Sequence, residues 1–123
     1  MPEQSSTGPD TAEPLTAEDA KLVTLARASR ARTSAVEGAA VRDGDGRTYA
    51  GSSITLPSLT LTALQYAVAA AVAAGAGVLE AAAVVSEASV LDTAGVAAVR
   101  DLSAGAPVYL AGPDGVVLSR DPR

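Results

Sequence analysis

Few side chains in this sequence are of the types that carry catalysis or bind metals. The chain contains no His and no Cys, so it offers no imidazole base, no thiolate nucleophile and no disulfide. Zinc sites depend on those same ligands, with carboxylates usually in the minority. Among the many hydroxyls and carboxylates that the sequence does contain, we consider the hydroxyl of Thr62 and the carboxylates of Glu37 and Glu80. The two carboxylates could share acid and base roles only if the fold brings them together.

Thr62 is more typical of a helix cap than of a nucleophile. Its hydroxyl stands where it can bond the backbone of a first helical turn, and the sequence has no His to activate it. The acidic segment DGDG at 43–46 is also structural. A calcium loop starting at Asp43 would put Arg47 at its fifth position and Ile54 where a Glu should close it, so a hairpin turn is the better interpretation.

The composition indicates one acidic domain rich in small side chains. The chain has 123 residues, a net charge of −5 and a hydrophobic share of 48%, which is enough for one core. It has three Tyr and no Phe or Trp, so the core elements should approach each other closely. Because Lys is scarce, we expect no binding to nucleic acid, whose affinity comes from clustered positive charges.

Two segments bear on location. Residues 1–14 are polar and lack the apolar core of a signal peptide, which predicts a mobile leader and a cytoplasmic protein. Residues 61–79 carry no formal charge over about the length of a membrane span. Alanine dominates this run and is less favourable in lipid than Leu or Ile. We therefore expect a buried helix and a turn here, and no membrane contact.

The hydrophobic pattern predicts the order helix, hairpin, helix, strand, helix, hairpin. Helices are expected from Thr16, from about Leu61 to Ala74, and from Asp92 or Thr93 onward. Strands are expected at 35–41, 47–54, 78–86, 107–111 and 116–119. Because a strand–helix–strand crossover is right-handed and parallel, the fold class should be α/β, with a five-stranded mixed sheet between helices. The domain should span 15–119, and 120–123 should be a polar tail.

Four segments in this order resemble the small cytidine deaminase family over residues 16–117. EGAAVRDGDGRTYAG is similar to the family's first hairpin, and SLTLTALQYA to its first zinc-binding helix. LDTAGVAAVRDL stands where the proline-cysteine-glycine-alanine-cysteine helix belongs, and APVYLAGPDGVV is similar to the final hairpin. The resemblance implies the family's three-layer α/β/α fold.

The resemblance also implies a zinc ion, held by three Cys or by one His and two Cys, with a neighbouring Glu that transfers protons. It places Thr62, Ala94 and Ala97 at the ligand positions and Leu64 at the position of the Glu. None of these side chains replaces what the reaction needs. We therefore expect no metal, no cofactor and no catalytic residue, and a dry contact of Leu64 with Ala94 and Ala97.

The substrate pocket that the resemblance implies is altered as well. Ala35 stands at an aromatic position, and Ser53 and Thr55 stand at the positions of an Asn and a Glu that hold the nucleoside. The sequence therefore predicts that the chain is not an enzyme and serves as an oligomeric scaffold or partner-binding module. Two alternatives stay open, a pyrimidine nucleoside or nucleotide sensor and, least favoured, an active cytidine deaminase.

The helix predicted over 61–74 lacks a polar stripe. Its outer side, including some of Ala63, Tyr66, Ala70 and Ala74, would expose an apolar patch in a monomer. We therefore expect a homo-oligomer, with the tetramer typical of the resembled family favoured. An unidentified protein partner would be a further way to cover the same patch.

Overall fold

The computed structural model describes residues 15–123, so the predicted leader at 1–14 lies outside the described residues. The elements are α1 (Ala17–Thr33), β1 (Glu37–Asp43), β2 (Thr48–Ser52), β3 (Ile54–Leu56), β4 (Leu59–Leu61), α2 (Ala63–Ala73), β5 (Leu79–Ser86), α3 (Thr93–Leu102), β6 (Val108–Ala111) and β7 (Val117–Asp121). All three predicted helices and all five predicted strands are present. The short hairpin of β3 and β4 was not predicted, and β7 runs into the segment predicted as a tail.

The main sheet has five strands in the order β2-β1-β5-β6-β7. β5 and β6 are parallel, and the other neighbouring pairs are antiparallel. The predicted α/β class with a five-stranded mixed sheet is therefore confirmed. β3 and β4 form a separate two-stranded sheet that leads directly into α2. Within residues 15–123, none of the helices is both long and apolar enough to cross a membrane.

Helices cover both faces of the sheet. On one face α1 buries Leu22 and Ala26 against Ala83 and Val85. On the other face α2 and α3 bury a larger cluster that includes Leu64, Val68 and Val99. The sequence permits this packing because small residues line the contacts: a Cβ atom added to Gly38 of β1 would overlap the carbonyl oxygen of Ala26 in α1. The predicted core of small side chains thus lets helix and strand backbones come close together.

A buried polar network ties α1 to the sheet, and sequence analysis did not anticipate it. The Tyr109 hydroxyl donates to Asp19 Oδ2 at 2.7 Å, and Arg42 Nη2 donates to Asp19 Oδ1 at 2.9 Å. Arg42 Nε donates to Glu80 Oε1 at 2.8 Å. Burial, reinforced by the carboxylate of Asp19, raises the pKa of Tyr109 to about 12. The phenol therefore stays protonated as the donor of this network.

Glu37 and Glu80, the two carboxylates considered as a pair, lie at opposite ends of the sheet. Glu37 faces Ser86 in the register of β1 and β5, whereas Glu80 lies next to Ala81, the partner of Arg42. Because Glu80 is paired with Arg42, it belongs to the network near α1. The two carboxylates cannot share acid and base roles.

Candidate functional site

The starts of α2 and α3 meet beside the carboxyl end of β5, and this is where the resemblance places the reaction centre. Thr62 is the N-cap of α2. Its Oγ1 accepts from the backbone N–H of Gln65 at 3.0 Å, and Gln65 Oε1 accepts from the backbone N–H of Thr62 at 3.0 Å. This reciprocal pair is a capping box. The hydroxyl is thus engaged with the backbone, as the cap interpretation of Thr62 predicts.

Asp92 caps α3 in a similar way. Its Oδ1 accepts a hydrogen bond from the backbone N–H of Gly95, which satisfies one of the unpaired N–H groups at a helix start. The other carboxylate oxygen, Oδ2, is buried and has no hydrogen-bond partner among residues 15–123. This unpaired buried oxygen makes the surroundings of Asp92 unfavourable for a second carboxylate.

Leu64 lies in the first turn of α2 and is fully buried. The residue that meets it from α3 is Gly95: a Cβ atom added there would lie 2.8 Å from Leu64 Cβ. Ala94 and Ala97 are both exposed. The predicted burial of Leu64 is therefore confirmed, while its predicted partners are wrong. The physical reason is the phase of α3, in which Gly95 and Val99, four residues apart on one face, are the buried positions.

Glu37 adds a second carboxyl group to this place. It lies on the same face of β1 as the buried residues Ala39 and Val41, because alternate residues of a strand share a face. Burial raises the pKa of Glu37, the charge of Asp92 raises it further, and Ser86 partly opposes them. Glu37 faces Ser86 across β1 and β5 and is near enough to Asp92 for that charge to act on it. We call Glu37, Ser86 and Asp92 the polar edge.

Of the three predicted pocket residues, only Ser53 contacts this edge. Ser53 Oγ accepts from the backbone N–H of Glu37 at 3.3 Å, and the Ser53 N–H donates to the Glu37 carbonyl oxygen at 3.1 Å. Thr55 is exposed and pairs with Thr60 in the separate hairpin. Ala35 is partly buried just before β1. The role of these three residues in holding a nucleoside stays a prediction.

Sequence analysis missed the meeting of Glu37 with Asp92. The signal was present: Glu37 precedes Ala39 and Val41 with a period of two, which places it on the core face of a strand. Asp92 was identified only as a cap. The two residues are 55 positions apart along the chain, and only the tertiary fold brings the charge of Asp92 near Glu37.

The residues at this place do not fit a zinc ion. The chain has no Cys and no His, and Thr62 Oγ1 is already the acceptor of a capping bond. Ala94 and Ala97 carry methyl groups, which cannot coordinate a metal. Across the described part of the chain, no group of three or more Asp or Glu side chains is arranged to hold an ion. These side chains therefore supply no set of ligands for zinc.

Leu64→Glu tests whether the space between the helix starts is dry. The new carboxylate would enter an apolar contact without a partner, so the free energy of unfolding should fall by about 3 kcal/mol or more. Gln65→Glu is the matched control, because Glu serves as well as Gln in a capping box and should change stability by less than about 0.5 kcal/mol. Urea unfolding measures both. A Leu64→Glu variant as stable as the parent would mean that this place is open to water.

Glu37→Gln tests the burial of Glu37 beside Asp92 through pH. The folded state holds a proton that the unfolded chain releases, so the unfolding free energy of the parent should fall as pH rises from about 4.3 through the raised pKa of Glu37. The Gln variant avoids this loss. It should match the parent near about pH 4 and be more stable near about pH 8.

Urea unfolding at a series of pH values checks this expectation. Glu87→Gln, at a side chain that is 79% exposed, is the control for loss of one carboxylate. A stability difference between parent and Glu37→Gln that does not change with pH would contradict the buried position of Glu37.

Comparison with known proteins agrees with this architecture. Residues 15–115 match the family model described as cytidine deaminase-like. The 1.6 Å crystal structure of cytidine deaminase from Burkholderia pseudomallei is similar with a TM-score of 0.71 and 26% identity, covering 84% of this chain and 90% of that chain. Cytidine deaminase from Mycobacterium leprae is similar in fold, with a TM-score of 0.60, 22% identity and coverage of 80% and 91%. No curated protein sequence matches the chain.

These comparisons correct one conclusion of the sequence analysis. The prediction that the chain is not an enzyme is wrong, because the family and both similar structures are those of cytidine deaminases, which are enzymes. The prediction treated the loss of zinc ligands as the loss of all activity, although missing zinc ligands argue only against the binding of zinc. The resemblance itself is confirmed. With its three helices on both faces of a five-stranded mixed sheet and a family match over residues 15–115, the chain belongs to the cytidine deaminase-like family.

Proposed function

We propose that this chain is an oligomeric, partner-binding member of its family that assembles through the outer side of α2. The observation that carries the proposal is an uncharged, partly exposed helix surface. We call it the α2 face; it consists of Tyr66, Ala69, Ala70, Val72 and Ala73. Val72 is 49% exposed, Ala69 and Ala73 are exposed, and Tyr66 and Ala70 are partly buried. A surface helix of a monomer normally carries a polar stripe instead.

The structure refines the patch that the sequence predicts. Ala63 is fully buried and so does not belong to the outer side, whereas Tyr66 and Ala70 do. The Tyr66 ring lies against Gly51 of β2, where a Cβ atom would overlap it, so the aromatic edge of the α2 face is held in place. The alanines would let a second helix approach closely.

The hairpin of β3 and β4 carries a second apolar surface. Ile54 is opposite Leu61 and Leu56 is opposite Leu59, and residues two apart in a strand share a face. One side of this hairpin is therefore aliphatic, with Leu56 56% exposed and Leu59 46% exposed. Because Thr62 alone separates the hairpin from α2, both surfaces belong to one stretch of chain, which supports coverage by another subunit or another protein. A tetramer is the favoured assembly.

Val72→Glu tests the assembly. The charge would be buried between paired α2 faces without a partner, so the variant should have a smaller mass than the parent by light scattering at micromolar concentration. Val90→Glu is the matched control, since Val90 is 71% exposed in the loop before α3, and it should leave the parent's mass unchanged. A parent mass equal to that of one chain, unchanged when the protein is concentrated, would contradict the proposal.

A second candidate function is the binding of a pyrimidine nucleoside. It is favoured by the similarity to the cytidine deaminase from Burkholderia pseudomallei and by the polar edge of Glu37, Ser86 and Asp92, which could hydrogen-bond a base or a ribose. Burial, together with the charge of Asp92, raises the pKa of Glu37, which favours a protonated carboxyl group that can donate a hydrogen bond.

Thermal shifts separate the two candidates. Cytidine or uridine at millimolar concentration should raise the melting temperature by about 2 °C or more if a site exists, and adenosine is the control for nonspecific stabilisation. Glu37→Ala should reduce the shift. Release of ammonia from cytidine in the same samples would show that binding leads to deamination. Equal shifts for all three nucleosides, or the absence of any shift, would contradict nucleoside binding. Neither result would affect the proposed assembly, which the light-scattering experiment tests separately.

A further inference from the structure

We propose that a direct apolar contact between Leu64 of α2 and Gly95 of α3 holds the two helix starts together, in the place where the resemblance implies a metal ion. We call this contact the helix clasp. It lies within a single chain, so it does not depend on the proposed assembly or on nucleoside binding. It rests on the burial of both residues, on the space around Gly95 and on the caps of the two helices.

The helix clasp leaves no room for a larger residue at position 95. Leu64 is 0% exposed, and Gly95 is buried. A Cβ atom on Gly95 would lie 2.8 Å from Leu64 Cβ and 2.6 Å from Asp92 Oδ1. Real Cβ atoms essentially never come this close to other heavy atoms, so an alanine there would push α3 away from α2 or displace the cap.

Each helix start is also complete without a shared ligand. The first N–H groups of a helix have no partner within the helix and need an acceptor. In α2 the capping box of Thr62 and Gln65 supplies one, and in α3 Asp92 supplies one to Gly95. A metal ion would connect the two helices by binding side chains from both of them. Here the connection is made by the Leu64 side chain, which is continuous with the buried cluster that contains Val99.

The helix clasp explains why this chain has a glycine at position 95. The resemblance accounts for it only as the glycine between two ligand positions, Ala94 and Ala97, both of which are exposed. The structure indicates that Gly95 is needed because Leu64 and the carboxylate of Asp92 occupy the space that its side chain would fill. Leu64 and Gly95 should therefore depend on each other.

A double-mutant cycle on the full chain tests this dependence by thermal unfolding. Gly95→Ala should lower the melting temperature by about 4 °C or more. Its effect should be smaller in a Leu64→Gly background, because that change removes the Cβ atom of α2 that a side chain at position 95 would meet, while the contact with Asp92 remains. Gly105→Ala is the matched control, since nothing lies within 4 Å of a Cβ atom placed there, and its effect should be the same in both backgrounds. Gly95→Ala effects that are equal in the two backgrounds would overturn the proposal.

A metal titration of the parent is the second arm. Elemental analysis and thermal unfolding with one to several equivalents of Zn²⁺, and with chelator, should show no bound stoichiometric zinc and no change in melting temperature. Zinc that binds in stoichiometric amount, raises the melting temperature and is lost with Thr62→Ala would show that a metal joins the helix starts and would also overturn the proposal.

Discussion

Close approach between elements is the constraint on which this structure depends. At Gly38, Gly51 and Gly95 a residue of a neighbouring helix occupies the space that a Cβ atom would need: Ala26 of α1, Tyr66 of α2 and Leu64 of α2, respectively. These contacts join α1 to β1, α2 to β2 and α2 to α3. A chain without Phe or Trp cannot fill wide gaps with rings, so its stability depends on short distances between small residues, where dispersion contacts are dense.

Different interactions hold the helices close to the strands on the two faces of the sheet. On the α1 side, the carboxylate of Asp19 accepts hydrogen bonds from both Tyr109 and Arg42. It therefore has partners for both oxygens where α1 packs onto the strands. Removing one partner of such a buried pair leaves an uncompensated charge. On the α2 and α3 side, the contact at the helix starts is apolar, and polar groups are kept to its rim. Where the resemblance implies a metal ion, this chain has no Cys or His donor and the two helix starts approach each other directly.

Much of this fold could be predicted from the sequence, because local signals and long-range packing agree. Thr16 and Thr62 act as N-caps as predicted, and the buried run over β5 has the character of a strand covered on both faces. The phase of α3 was predicted wrongly although the sequence carries a signal for it. Thr93, Arg100 and Asp101 lie on the same side of the helix as Ala94 and Ala97, opposite the buried residues Gly95 and Val99. The meeting of Glu37 with Asp92, and that of Asp19 with Arg42 and Tyr109, required tertiary packing. The inference about enzyme class failed for a different reason, because it drew a statement about function from missing donors alone.

Leu64 closes the place where the two helix starts meet. Crystals grown in excess zinc, with an anomalous difference map collected at the zinc absorption edge, test this closure most directly. We expect continuous density for Leu64 against Gly95 and no anomalous peak beside Thr62. An anomalous peak between the starts of α2 and α3, with Leu64 turned out of the contact, would contradict it.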